Sequence, residues 1–92
     1  MFAITEEPID LAALVAHVSD PAAGAVTTFL GTTRATNRDR DVLRLEYEAY
    51  PEMAVAEFGK IAEEAARRWE LVRVAIVHRV GVVPLGEASV VI

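Results

Sequence analysis

The chain has 92 residues, 53% hydrophobic and 25% charged, a net charge of −5 and no cysteine. This is the composition of one small folded domain, taken as residues 1–92, and it excludes wholesale disorder, disulfide scaffolds, thiolate nucleophiles and Cys-ligated zinc. The acidic balance excludes a general nucleic-acid binder, no apolar run approaches the ~18 residues of a membrane span, and the opening MFAITEEPID lacks a signal peptide's basic region, so a cytoplasmic protein is expected.

Residues 2–5 form a short apolar start that reads as an edge strand. Pro8 suits a first helical turn, with Glu6, Glu7 and Asp10 near the positive end of the dipole. Ile9, Leu11, Leu14, Val15 and Val18 then follow the 3.6 period, predicting a helix over about 8–18. Ser19, Asp20, Pro21 and Gly24 end it. Residues 24–34, GAVTTFLGTTR, are β-branched and aromatic and predict a strand. A polar turn covers 35–41. Residues 41–50 alternate, with Leu43, Leu45, Tyr47 and Ala49 on one face and Arg44, Glu46, Glu48 and Tyr50 on the other, as a half-buried strand requires. Pro51 opens a helix running to Trp69, with Ala54, Phe58, Ile61, Ala65 and Trp69 as its expected buried stripe. Residues 71–80 predict a further strand, a turn follows around Pro84–Gly86, and 87–92 predict the last strand. That strand ends Val90-Val91-Ile92 with no cap or polar tail; either it is the last central strand or the sequence is a fragment whose next element is missing, and the fragment is the favoured expectation.

Charge is unevenly spread. Residues 1–33 carry −4 and 45–92 carry −3, but 34–44, with Arg34, Arg38, Arg40 and Arg44 against Asp39 and Asp41, carry +2. A solvated loop is the plainer explanation of this island; an anion site is the other, because a local field attracts anions whatever the total. Familiar catalytic motifs are missing: there is no GxGxxG, GxxxxGK[ST], HExxH, CxxC or GxSxG. His17 reads as a helix-surface residue, His78 as a hydrogen-bonded, partly buried one, and the pair makes no metal site. Lys60, the single lysine, reads as a surface cation. Glu46 and Glu48 share a strand face and read as its wet side. The segment Thr28–Arg34 is the most informative. A glycine late in a strand marks a bulge or a close backbone approach. The hydroxyls of Thr32 and Thr33 and the Arg34 guanidinium at the strand exit are suitable donors for a phosphate or carboxylate. A bulged strand ending in a solvated arginine explains the same residues.

GAVTTFLGTTR, a polar loop, LEYEAYPEMA, IAEEAARRW, VRVAIVHRVG and GEASVVI, in this order and spacing, resemble the large, catalytic subunit family of molybdopterin synthase, from about residue 24 to 92. The resemblance implies an α+β fold of the α/β hammerhead type: a mostly antiparallel sheet with two helices. It implies a homodimer of large subunits, each receiving the C-terminal Gly-Gly tail of a small, ubiquitin-like sulfur-carrier subunit whose thiocarboxylate supplies sulfur. Two sulfurs then convert cyclic pyranopterin monophosphate to molybdopterin, in molybdenum cofactor biosynthesis. It further implies that Thr32, Thr33 and Arg34 contact substrate, with Arg34 the principal anion ligand, and that Phe29 lines the pocket. No resident metal or cofactor is implied. The family's Ser-x-His-Arg segment and two-lysine loop have no counterpart in these 92 residues, so no catalytic residue is assigned here. The rival expectation is a non-catalytic ferredoxin-like module that binds a metabolite or dimerises, read from the order strand-helix-strand-strand-helix-strand.

Overall fold

The computed structural model describes residues 1–34, 36–37, 40–41, 44–47 and 50–92, with backbone alone for 36–37, 40–41 and 44–47. In chain order its elements are β1 (Phe2–Thr5), α1 (Leu11–Val18), β2 (Leu30–Thr32), β3 (Thr36–Asn37), β4 (Arg40–Asp41), β5 (Arg44–Tyr47), α2 (Pro51–Trp69), β6 (Ile76–Arg79), β7 (Gly81–Pro84) and β8 (Ala88–Val91). The main sheet has the order β1-β6-β8-β2, while β3 pairs β4 and β5 pairs β7. β1 runs parallel to β6, and the other ladders are antiparallel. The protein is therefore α+β with a mixed, mostly antiparallel sheet, as expected. β1 lies at an edge and β8 is central, between β6 and β2.

α1 starts later than Pro8 suggests. The Asp10 carboxylate accepts the Ala13 N–H at 3.1 Å and so caps the helix. This side-chain cap satisfies a donor that the first turn leaves open. Leu14 then packs into a core of Ala75, Val77 and Val91, with Ala3, Ile9, Leu11, Val18 and Ala88 around it. Ile76, next to Val77 in β6 and 4% exposed, points to the opposite side of the sheet. The sheet is thus covered on both faces.

The ladder between β2 and β8 shifts register between Gly31 and Thr32: Gly31 faces Val90, but Thr32 faces Ala88. Ser89 is the extra residue, and its hydroxyl donates to the Gly31 carbonyl at 3.2 Å. A bulge resets the alternation of side chains. Ala88 and Val91, three positions apart, therefore both pack toward α1.

Several predicted elements come out shorter. Of residues 24–34, only Leu30–Thr32 is strand, extended by mutual hydrogen bonds between Phe29 and Ile92 at 2.8 and 3.0 Å. Of 71–80, the strand is Ile76–Arg79, paired with Phe2–Thr5 of β1. The turn expected around Pro84–Gly86 is present, closed by the Glu87 N–H on the Pro84 carbonyl at 3.2 Å, but β7, just before it, was not expected. The alternating faces predicted for 41–50, the Glu46–Glu48 pair and the side chains of Arg38, Arg40 and Arg44 lie outside the described residues.

α2 has its predicted bounds, but its buried face is displaced from the predicted stripe. Ala62 is buried; Ala54, Phe58 and Ala65 of the predicted stripe are half-buried, as are Val55, Gly59 and Ala66, but Ile61 and Trp69 are 56% and 67% exposed. The helix packs on β1, and small residues allow the closest approach. A 19-residue helix is ~28 Å long and a four-residue strand ~13 Å, so β1 cannot cover α2 along its whole length. Trp69 stacks instead against Arg68, whose guanidinium lies 5.9 Å from the ring centre. Arg68 also pairs with Glu64 at 2.9 Å, at the i,i+4 spacing that brings side chains together on a helix.

Candidate functional site

The exit of β2 is held by the turn between β7 and β8. Thr33 is 1% exposed. Its N–H donates to the Glu87 carbonyl at 3.1 Å, and its carbonyl accepts the Gly86 N–H at 2.9 Å. Its hydroxyl donates to the Val83 carbonyl at 3.3 Å. Gly86 itself has φ +79°, a conformation that favours glycine, and Glu87 N–H donates to the Pro84 carbonyl at 3.2 Å. Thr33 is therefore tied down by two hydrogen bonds to the turn and one to β7, and Thr32 and Arg34 emerge on either side of it, both exposed. Thr32 and Arg34 offer a hydroxyl and a guanidinium from adjoining positions on a fixed backbone, a donor set suited to phosphate. The Thr33 hydroxyl is already engaged, so its visible role is to hold the strand exit.

Phe29 lies elsewhere. It is 60% exposed and lines a groove of about 290 Å³ with Leu11, Leu14, Val15 and Val18 of α1, Val26, and Val72 and Val74. Thr32, Thr33 and Arg34 are not among the groove's lining residues. This cavity is largely apolar and lies toward the other end of β2, so it is not the anion site. Its polar edge is Arg73, which donates to the His17 carbonyl at 3.2 Å and pairs with Asp20 at 3.2 Å, closing the C-terminal end of α1.

The remaining candidates have structural surroundings. His17 is exposed, with Nε2 3.4 Å from the N-terminal amine. His78 is half-buried, with Nδ1 2.7 Å from the Arg79 carbonyl. Lys60 pairs with Glu57 at 3.3 Å on the surface of α2. Among the described residues, no group of three His, Cys, Asp or Glu is placed to hold a metal ion, and no helix is long and apolar enough to cross a membrane. Sequence reasoning passed over Arg79. It is 8% exposed, and its Nη1 donates to Glu87 Oε1 at 3.0 Å. A charged residue inside the apolar run of 71–80 was the available signal.

Residues 4–92 match the family described as MoaE protein. The molybdopterin synthase catalytic subunit of Aspergillus niger is 47% identical over 97% of this chain and 49% of its own length. That of Bacillus subtilis is 45% identical over 99% and 58%. The crystal structure of molybdopterin synthase from Staphylococcus aureus superposes with a TM-score of 0.92 at 31% identity, covering 98% of this chain and 66% of that one. Molybdopterin cofactor biosynthesis protein E from Burkholderia multivorans superposes at 0.83 with 42% identity, covering 98% and 59%. The chain spans about half the length of the curated relatives it matches. A family match over nearly every residue, joined to the same α+β architecture in solved relatives, places the chain in the MoaE family.

Proposed function

We propose that this chain supplies the substrate-anchoring part of a molybdopterin synthase catalytic subunit. The reaction is transfer of two sulfurs to cyclic pyranopterin monophosphate, giving the dithiolene of molybdopterin. The observation that carries this reading is the family match over residues 4–92, with relatives named as molybdopterin synthase catalytic subunits. Sulfur is delivered by the thiocarboxylate at the Gly-Gly terminus of a small, ubiquitin-like carrier subunit, so the absence of cysteine here is consistent with the chemistry. The working assembly is a cytoplasmic dimer of large subunits, each holding one carrier.

Within that reaction, this chain's residues bind and orient. Arg34 forms a charge-assisted, two-point contact with the substrate phosphate, and the Thr32 hydroxyl donates beside it. Thr33 keeps both in place through its hydrogen bonds to the β7–β8 turn. Phe29, on the neighbouring stretch of the same strand, offers an exposed aromatic surface for the apolar side of the bound molecules.

Arg34→Ala in the intact protein tests this reading. Loss of a hydrogen bond to a charged group costs about 1.5–3 kcal/mol, so affinity for cyclic pyranopterin monophosphate falls roughly 10- to 150-fold. Circular dichroism stays unchanged. Equal affinity in variant and parent would reduce Arg34 to a surface charge.

A further inference from the structure

Arg79 is buried in an arrangement that stability alone does not explain. Its Nη1 meets Glu87 Oε1 at 3.0 Å, but Nε is buried and, among the described residues, has no hydrogen-bond partner. Burying a guanidinium against one carboxylate is costly, and an apolar side chain of similar volume commonly serves stability as well or better. The position of its partner supplies a second reason for the arginine. Glu87 is the residue whose carbonyl receives the Thr33 N–H, and its own N–H closes the turn onto Pro84. Gly86, directly before it, donates to the Thr33 carbonyl. A continuous path of polar contacts therefore runs from Arg79 on β6 through Glu87 to Thr33, the residue before Arg34.

We propose that Arg79 is a positioning residue for the anion site at the exit of β2. By holding the Glu87 side chain, it fixes the β7–β8 turn, and the turn fixes the direction in which Arg34 leaves the sheet. The proposal rests on the reading that Arg34 binds the phosphate of the pterin substrate. It accounts for a buried arginine whose Nε, among the described residues, has no partner: the side chain is retained for the place it gives Glu87.

The test uses the intact protein and cyclic pyranopterin monophosphate as the probe, with amide hydrogen exchange followed in parallel. Arg79→Met removes the ion pair and keeps a long apolar side chain. Affinity falls roughly tenfold or more, as small misplacements of a binding group do. Exchange at the Thr33 and Gly86 amides quickens while that of β1 and β6 does not. Arg79→Lys, which keeps a cation within reach of Glu87, restores most of the affinity. In an Arg34→Ala background, Arg79→Met costs no further affinity, because both act on one contact. Should Arg79→Met fail to fold, Glu87→Gln carries the same test from the more exposed partner. Parental affinity in Arg79→Met, or a full additional loss in the Arg34→Ala background, overturns the positioning role. If the parent protein binds none of the phosphorylated pterin, the functional reading falls, and this proposal with it. If the parent binds and Arg79→Met binds equally, the positioning role alone falls.

Discussion

Gly31→Ala isolates one contact in the sheet. Gly31 is not at positive φ, so alanine meets no backbone penalty there, and its lower unfolded-state entropy favours folding by about 0.4–1 kcal/mol. The obstacle is Val90. A Cβ on Gly31 would lie 2.7 Å from Val90 Cγ1, whereas carbons in contact stand ~3.5–4.0 Å apart. The overlap of about 1 Å must be relieved by turning Val90 or by moving β2 off β8. A β-branched side chain has few rotamers to turn into. Overpacking of this kind costs about 1–3 kcal/mol. After the entropic gain, the net loss is about 0.5–2 kcal/mol, or roughly 2–16 °C in Tm for a domain of this size. Urea unfolding followed by circular dichroism gives the value. Val90→Ala removes the opposing methyl, so the double variant is more stable than the two single losses predict by at least about 0.5 kcal/mol. A Gly31→Ala protein with parental stability, or strict additivity with Val90→Ala, would refute the reasoning.

Asp10→Ala removes the cap of α1 and costs about 0.5–2 kcal/mol; Asp10→Asn, which keeps the acceptor, costs less, and equal losses in a urea titration would disprove the cap. Trp69→Ala, at 67% exposure, costs under about 1 kcal/mol, against about 3–5 for a buried tryptophan; a loss in the upper range would show that the end of α2 is packed. Thr33→Val keeps the shape but loses the hydroxyl bond to Val83, costing about 1–3 kcal/mol; an unchanged melt would remove that bond from the account of the site.

The bounds of α2 were legible because Pro51 opens it and the periodic pattern continues to Trp69. The irregular pairing beside Gly31 was legible too, from a glycine late in a β-branched strand, although the extra residue is Ser89 on β8. Strand lengths were not. Residues 25–28 have every propensity for extension, but a strand also needs a hydrogen-bonded neighbour, which propensity does not show. β7 was missed because Gly81 and Pro84 leave just two apolar residues between them. The stripe on α2 held at Ala54, Phe58 and Ala65, which are half-buried, and failed at Ile61 and Trp69, because the most buried position is Ala62, which a count of large apolar side chains passes over. At the site, the donors of Thr32, Thr33 and Arg34 could be read directly. That Thr33 is buried could not, because the turn that buries it comes from residues 83–87, about fifty positions later.

The central place of β8 bears on how the protein folds. Phe2 pairs with Ile76, Leu30 with Val91, and β2 reaches the β1–β6 pair through β8. Each of these pairings closes a long loop before any contact compensates for the lost entropy. α2, made of local contacts, can form within about a microsecond. The sheet belongs to the slower class dominated by distant pairings, which assembles over ~milliseconds to seconds. Until β8 docks, β2 and the β6 edge both present unpaired backbone. During that interval the chain is most exposed to pairing with a neighbour rather than with itself.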